Sequence, residues 1–468
     1  MSRSSFLKIL FVLGALAALQ MAAARSNSAI EPTANETAKA GAKVEVLTRG
    51  PVHEAFMTQI NLNPALGITA PKEPPPAIEE LPPEFKPAGE HVVWIPGYWT
   101  WDDESQDYLW MSGAWRAPPP RHRWVPGYWN KRDNGFQWVS GFWLAADVGQ
   151  LAYQAAPPKS VERGPNSEPP SANHFWAPGS WEPSDGKYKW RAGNWVPQQQ
   201  NWIWIPSQNY TTAHGTIHSP GYWDYRLHER GQLFAPLRIG ANARSSGNLR
   251  VTPSQVIADQ QLLLHLFVRP QSGQYLFGDY YDAKYAKQGI QSWFNYHASR
   301  GGYDPHFAYY NWYYGRGGND YLNVLQGWHK YFLAHDDLRP PRTLAAQLDF
   351  IASHQDYAQL GQTVMGNSLT DIVANTSAAT SFVRLDAASR LAINNSLQQL
   401  RLLGTQRLNL ESAGLGAVNV PTQILRLPAA PALPLPTNVA PVPGNPLEIL
   451  NQVPDLPTGE LNLPGLPF

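Results

Sequence analysis

The 468-residue sequence predicts a mainly β repeat domain of four Trp-rich bulged hairpins in two four-stranded halves, followed by an α+β or irregular aromatic-rich module and C-terminal helices. Three observations predict it. The phrase Trp-x-x-Gly-x-Trp returns between residues 94 and 223, its starts separated by 16, 14, 14, 38, 14, 14 and 14 residues, which is the self-similarity of a repeat architecture. Asn134-Gly135 and Asp185-Gly186, both strong hairpin-turn dipeptides, lie between successive phrases. After residue 249 the phrase stops, and Tyr-rich and Leu-rich segments with helix-start and Pro-break signals take over.

The chain opens as a secretory signal peptide over residues 1–24. Arg3 and Lys8 precede an apolar run from Ile9 to Leu19 and an A-x-A signal ending at Ala24, where cleavage is expected. An uncleaved anchor is the alternative reading. No later run is apolar enough for a transmembrane helix, so the mature chain is expected to be exported to the periplasm, outer-membrane surface or exterior. Cysteine is absent, which removes both a disulfide framework and a lipid-attachment thiol. Residues 25–90, with PKEPPP and LPPEFKP, read as a disordered leader because such composition buries little apolar surface.

The repeats occupy residues 91–143 and 174–240, separated by a Pro-rich linker at 144–173. The phrases are WIPGYW, WMSGAW, WVPGYW, WVSGFW, WAPGSW and WRAGNW, with weaker forms from Trp204 and His218. If consecutive phrases face each other across a hairpin, Trp99 pairs with Trp110 and Trp94 with Trp115. The same register pairs Trp129 with Trp138, Trp124 with Trp143, Trp181 with Trp190 and Trp176 with Trp195. Positions i and i+5 point to opposite faces of a regular strand, so the Gly at i+3 is the expected bulge. A type II turn at x-Pro-Gly-x is the rival; Ser112, Ser140 and Ala192 in place of Pro favour the bulge. The halves either stack into one eight-stranded sandwich or barrel or stand as two meanders.

The Tyr-rich module spans residues 249–347. Its start, Thr252-Pro253-Ser254, leads into an apolar run to Phe267 that is a buried helix or a strand, and the following Tyr-dense stretch has poor helix periodicity. Helices are expected from Asp320 to His335, from Thr343 to Tyr357 after the Pro340-Pro341 break, and from Asp386 to Leu403 within a helical segment at 348–417. Residues 418–468 read as a Pro-rich disordered tail.

The phrases W-x-x-G-x-W and Y-x-W-x-x-G-x-W, the latter at Tyr108–Trp115 and Tyr188–Trp195, resemble the WXXGXW (YXWGXW) repeat family of bacterial envelope proteins. Residues 251–347 resemble the partner region of its long planctomycete members. The resemblance implies an envelope location and supplies no catalytic residues.

No hydrolase elbow, phosphate loop, dinucleotide fingerprint or HExxH helix is present, so no cofactor, metal or catalytic residue is assigned. Asp102, Asp103, Glu104 and Asp185 fall in hairpin tips, where turn chemistry explains them. Asp279, Asp282, Asp304 and His306, and the pair His329 and His335, are the polar residues of the module with any claim to a site. Lys plus Arg equals Asp plus Glu at 36 each, so nucleic acid is not an expected partner. Sixteen of the 19 Trp lie between residues 94 and 223. A small sheet cannot readily bury them all, and the candidate ligand platform is Trp99, Trp110, Trp129, Trp138, Trp181 and Trp190, aimed at an envelope polysaccharide or envelope protein. The expected function is a non-enzymatic envelope or surface scaffold, structural or adhesive. The alternative is an envelope enzyme active at 250–345 with the repeats as its targeting domain.

Overall fold

The computed structural model describes residues 44–63, 67–245, 249–299, 302–316, 318–357, 360–375, 382–412 and 424–428; the segment read as a signal peptide and most of the C-terminal tail lie outside them. The repeat region is four hairpins. The first runs through Val93–Ile95, Tyr98–Asp102, Asp107–Met111 and Ala114–Arg116, and the second through His122–Val125, Tyr128–Arg132, Gly135–Val139 and Phe142–Ala145. The third uses His174–Ala177, Ser180–Ser184, Lys187–Arg191 and Asn194–Pro197, and the fourth Trp202–Ile205, Gln208–Thr211, Thr216–Ser219 and Tyr222–Tyr225.

The phrase faces itself as its spacing predicts. Trp94 lies opposite Trp115, Trp99 opposite Trp110, Trp124 opposite Trp143 and Trp129 opposite Trp138. Trp176 faces Trp195, Trp181 faces Trp190, and Trp204 faces Trp223. Ring centroids in these pairs are 5.0 to 5.5 Å apart with edge-to-face or tilted planes. Each such pair is worth about 0.5–1.5 kcal/mol beyond its burial.

The bulge does not form. The register is the same on both sides of Pro96-Gly97, so no residue is inserted; both strands leave the ladder together, at Pro96-Gly97 and at Ser112-Gly113. A type II turn is also ruled out, because the phrase glycines are not among those with positive φ. The two-residue gap in each strand frees glycine amides from the ladder, and side chains take those of Gly97, Gly113, Gly141 and Gly179. Asp185 and Gly186 do adopt the left-handed turn expected of an Asp-Gly tip, with φ of 50° and 73°.

No ladder joins one hairpin to another among the described residues, so each half is a pair of hairpins. The first is widened by strands from outside the four hairpins: Gly231–Leu233 on Ala114–Arg116, and Leu237–Ile239 with Val44–Val46 beside Asp107–Met111.

The leader is a correction. From residue 44 onward it is part of the fold, with Phe56, Met57 and Ile60 at 1%, 2% and 0% exposure in the core of the Tyr-rich module. The composition misled because its few apolar side chains are buried by a partner distant in sequence. In the linker, Gln150–Ala152 pairs with Ile424–Arg426, so residues 424–426 of the tail are also strand. The run after Thr252 is neither one helix nor one strand: strand Gln255–Ile257, helix Asp259–Leu264 and strand Leu266–Arg269 follow in turn. The Tyr-dense stretch contains helices Trp293–Ala298 and Pro305–Gly315, the second capped by Asp304 accepting from the Phe307 amide. Helices Tyr321–Ala334, capped by Asp320, and Leu344–Ser353, capped by Thr343, stand where expected. The C-terminal helix is divided into Ala387–Ser396 and Gln398–Glu411, and the latter packs on the second hairpin.

Candidate functional site

In the first three hairpins, glycine amides released at the gaps meet a carboxylate. In the first hairpin Glu80 accepts from Gly97 N at 2.9 Å, from Gly113 N at 3.0 and 3.1 Å, and from the Trp110 indole at 2.9 Å. In the second, Glu54 accepts from Gly141 N at 2.9 Å and the Trp138 indole at 3.2 Å. In the third, Glu162 accepts from Gly179 N and, at 3.3 Å, from the Trp176 indole. In each case the indole at position i and the amide at i+3 belong to the same Trp-x-x-Gly, which explains that half of the phrase as a two-point carboxylate clip. Burial pushes the Glu54 and Glu80 carboxyls up to about 7, against the amide and indole N–H groups that pull them down.

The glycine is also fixed by the facing Trp. A methyl group on Gly113 would stand 2.5 Å from Cζ2 of Trp94, on Gly141 2.4 Å from Trp124, on Gly179 2.5 Å from Trp190 and on Gly193 2.5 Å from Trp176. Each Gly thus lies against the ring of the facing phrase. Proline carbonyls left by the gaps find donors as well: Pro96 O contacts His53 Nε2 at 3.2 Å, and Pro126 O accepts from Arg407 at 2.6 Å.

The segments that deliver Glu80 and Glu162 lie across the first and third hairpins as straps, in the same direction and with matching anchors. Tyr108 and Tyr188 donate their hydroxyls to Lys72 O and Ala155 O. The Trp99 and Trp181 indoles donate to Pro76 O and Lys159 O, then come the clips, then Trp115 to Phe85 O and Trp195 to Ser167 Oγ. These Pro-rich stretches, read from sequence as leader and linker, are therefore half of the repeat unit. Sequence reasoning missed Glu54, Glu80 and Glu162, although one signal was available: Glu80 and Glu162 each stand 14 residues before the first Trp of their half.

Three members of the expected aromatic platform cannot stack on a ligand. Trp99, Trp110 and Trp138 are 4%, 3% and 8% exposed, enclosed by straps and neighbouring strands. Trp129, Trp181 and Trp190 remain half-exposed, with the Trp129 indole donating to Trp99 O. The open aromatic surface is elsewhere. A cleft of about 2450 Å³ separates the third hairpin from helix Pro305–Gly315, and Trp176, Trp195, Trp312 and Tyr313 line it. Trp312 is oriented by its indole donating to Asn173 at 3.0 Å, and Arg316 lies 5.0 Å from the Trp312 ring and 4.3 Å from that of Tyr313. Half-exposed rings with Asn, Arg, His174 and Asp320 around them suit a ligand with flat apolar faces and hydroxyl edges.

The polar candidates of the module are bound up in structure. Asp304 and His306, both 0% exposed, join through Tyr275, which donates to Asp304 at 2.6 Å and contacts His306 Nδ1 at 3.2 Å. His306 Nε2 meets Arg230 at 3.0 Å, and Arg230 and Arg116 share Asp224. Burial, then the Arg230 guanidinium, holds His306 well below the usual histidine range. Asp279 and Asp282 bond Arg342 and Arg339. Glu104, more than a turn residue, docks the first hairpin tip on the module: partial burial works to raise its carboxyl, but Lys284 and Arg49 outweigh this and hold it at about 2. His329 packs among Phe267, Tyr281 and Phe294, and His335 stacks on Tyr331, so the two do not form a site. Among the described residues no three His, Asp or Glu side chains converge as a metal would need, and no helix is long and apolar enough to cross a membrane.

A family model described as WXXGXW repeat matches residues 92–116, 122–143 and 172–196. No curated protein and no solved structure matches the chain.

Proposed function

From the premise that this chain carries WXXGXW repeats, we propose that it is a non-catalytic, exported envelope or surface protein whose Trp hairpins form a rigid frame holding one adhesive cleft. The observation that carries this reading is the contrast between buried and open aromatics. The Trp rings of the first hairpin are sealed, while Trp176, Trp195, Trp312 and Tyr313 remain accessible around a cleft large enough for several sugar rings. An envelope polysaccharide is the ligand class that fits, because pyranose faces stack on indoles and its hydroxyls meet Asn173, Arg316 and Asp320. The signal-peptide pattern at residues 1–24 supports export.

The test is co-sedimentation of the full chain with insoluble envelope polysaccharide, comparing the parent with Trp312→Ala and Tyr313→Ala. Binding that falls about tenfold in each variant supports the cleft. Equal binding by all three sinks it, and release of soluble sugar by the parent would replace adhesion with catalysis.

A further inference from the structure

The strap contacts raise a second binding question at one wall of the same cleft, which Glu162, Arg163, Gly164 and Pro165 of the strap line beside Trp176 and Trp195. Two Pro-rich segments of different sequence occupy the first and third hairpins in the same way, so the hairpin face recognises a chemistry rather than one sequence. That chemistry is an extended, proline-rich segment whose backbone carbonyls accept from Tyr and Trp at the hairpin tip, and whose glutamate enters the Trp-x-x-Gly clip. The two straps differ in how firmly they are held. Glu80 is 2% exposed and accepts from three N–H groups of its hairpin, whereas Glu162 is half-exposed and accepts from two of its hairpin, its other partners being the Arg163 and Gly164 amides of its own strap. Residues 163 and 165–167 of the second strap are exposed, and Ser167 holds Trp195 by a side-chain hydroxyl alone. Segments with few buried contacts and exposed hydrogen bonds open locally at low free-energy cost.

We propose that the third hairpin is an exchangeable receptor for a proline-rich peptide bearing one glutamate, with the chain's own residues 155–167 as the resident competitor. The incoming carboxylate takes the Gly179 amide and the Trp176 indole, and the incoming backbone carbonyls take the Trp181 indole and the Tyr188 hydroxyl. Recognition of an extended proline-rich segment by an aromatic face uses the low entropy of such chains, and the charge-assisted clip adds register. The first hairpin, closed over Glu80, does not exchange.

The probe is a fluorescein-labelled synthetic peptide of residues 155–167, in which Glu162 is the one glutamate, titrated into the full-length Glu162→Ala protein and into the parent. The expected result is binding to Glu162→Ala, weaker binding to the parent because its own strap competes, and a loss of about tenfold or more when the peptide's glutamate is replaced by alanine. A Glu162→Ala protein with parental circular dichroism that ignores the peptide, or binds both peptides equally, overturns the proposal. Should Glu162→Ala fail to fold, amide exchange in the parent decides: Gly179 exchanging at least tenfold faster than Gly97 and Gly113 supports an opening strap, and equal protection at all three refutes it.

Discussion

At the scale of the residue, Gly113, Gly141 and Gly179 each answer to two neighbours: a carboxylate that needs the amide and a Trp ring that leaves no room for a β-carbon. Gly113→Ala is therefore expected to lose about 1–3 kcal/mol, since the methyl would lie 2.5 Å from Trp94, and the midpoint of urea unfolding measures it. A wild-type midpoint would show that the ring moves freely. Histidines set a second expectation. Burial keeps His53, His297 and His306 neutral, His53 and His297 at about 4 and His306, with Arg230 beside it, well below the usual range. An unfolded histidine titrates near 6.5, so between that value and 4 the unfolded chain binds more protons. The stability from these groups is present above pH 6.5 and lost as pH falls. Glu54 and Glu80, raised to about 7, act in the opposite sense and cost stability as pH rises from 4.5 to 7. His306→Gln should therefore gain on the parent as pH is lowered from 6.5 to 4.5, by up to about 1.4 kcal/mol per unit; parallel stability curves for the two proteins would refute a buried neutral His306.

At the scale of the element, the hairpin is a pair of reciprocal Trp-over-Gly contacts, and the fourth hairpin shows the rule by its exception. Gly221 lies under Trp204, but the reciprocal pair is Ser207 and His218. The smaller ring leaves space for the serine side chain, which is buried and contacts Ser180 at 2.6 Å. His218→Trp alone should destabilise, whereas Ser207→Gly with His218→Trp should recover at least about 1 kcal/mol of that loss; additive effects in the double-mutant cycle would contradict the coupling. The Trp register was legible because a symmetric phrase can pair with itself in only one way. The clips were not, because half of their donors are backbone amides that no residue type advertises, and their acceptors, Glu54, Glu80 and Glu162, sit in stretches whose composition reads as disorder. The helices capped by Asp320, Thr343 and Asp386 were legible from cap and break residues, while Tyr-rich helix Pro305–Gly315 was hidden by apolar residues all round it, which erase periodicity.

At the scale of the whole molecule, repeats and module share one interior. Arg116 from the first hairpin and Arg230 after the fourth share Asp224, Arg230 reaches His306 in the module, and residues 52–60 pack beneath the Tyr-rich helices. Asp224→Ala leaves two buried guanidinium groups uncompensated, an expected loss of about 3–5 kcal/mol. Intrinsic Trp fluorescence, which reports the repeats, and circular dichroism at 222 nm, which reports the helices, should shift to the same lower midpoint; a shift in one signal only would divide the molecule into independent parts. Three Trp-x-x-Gly phrases, those starting at Trp110, Trp138 and Trp176, each grip a specific glutamate brought from outside their hairpin. The indole region of the ¹H–¹⁵N spectrum tests it most directly. Glu80→Gln should move the Trp110 signal, Glu54→Gln that of Trp138 and Glu162→Gln that of Trp176, each leaving the other two in place; three folded variants whose indole signals coincide with the parent's would contradict the account.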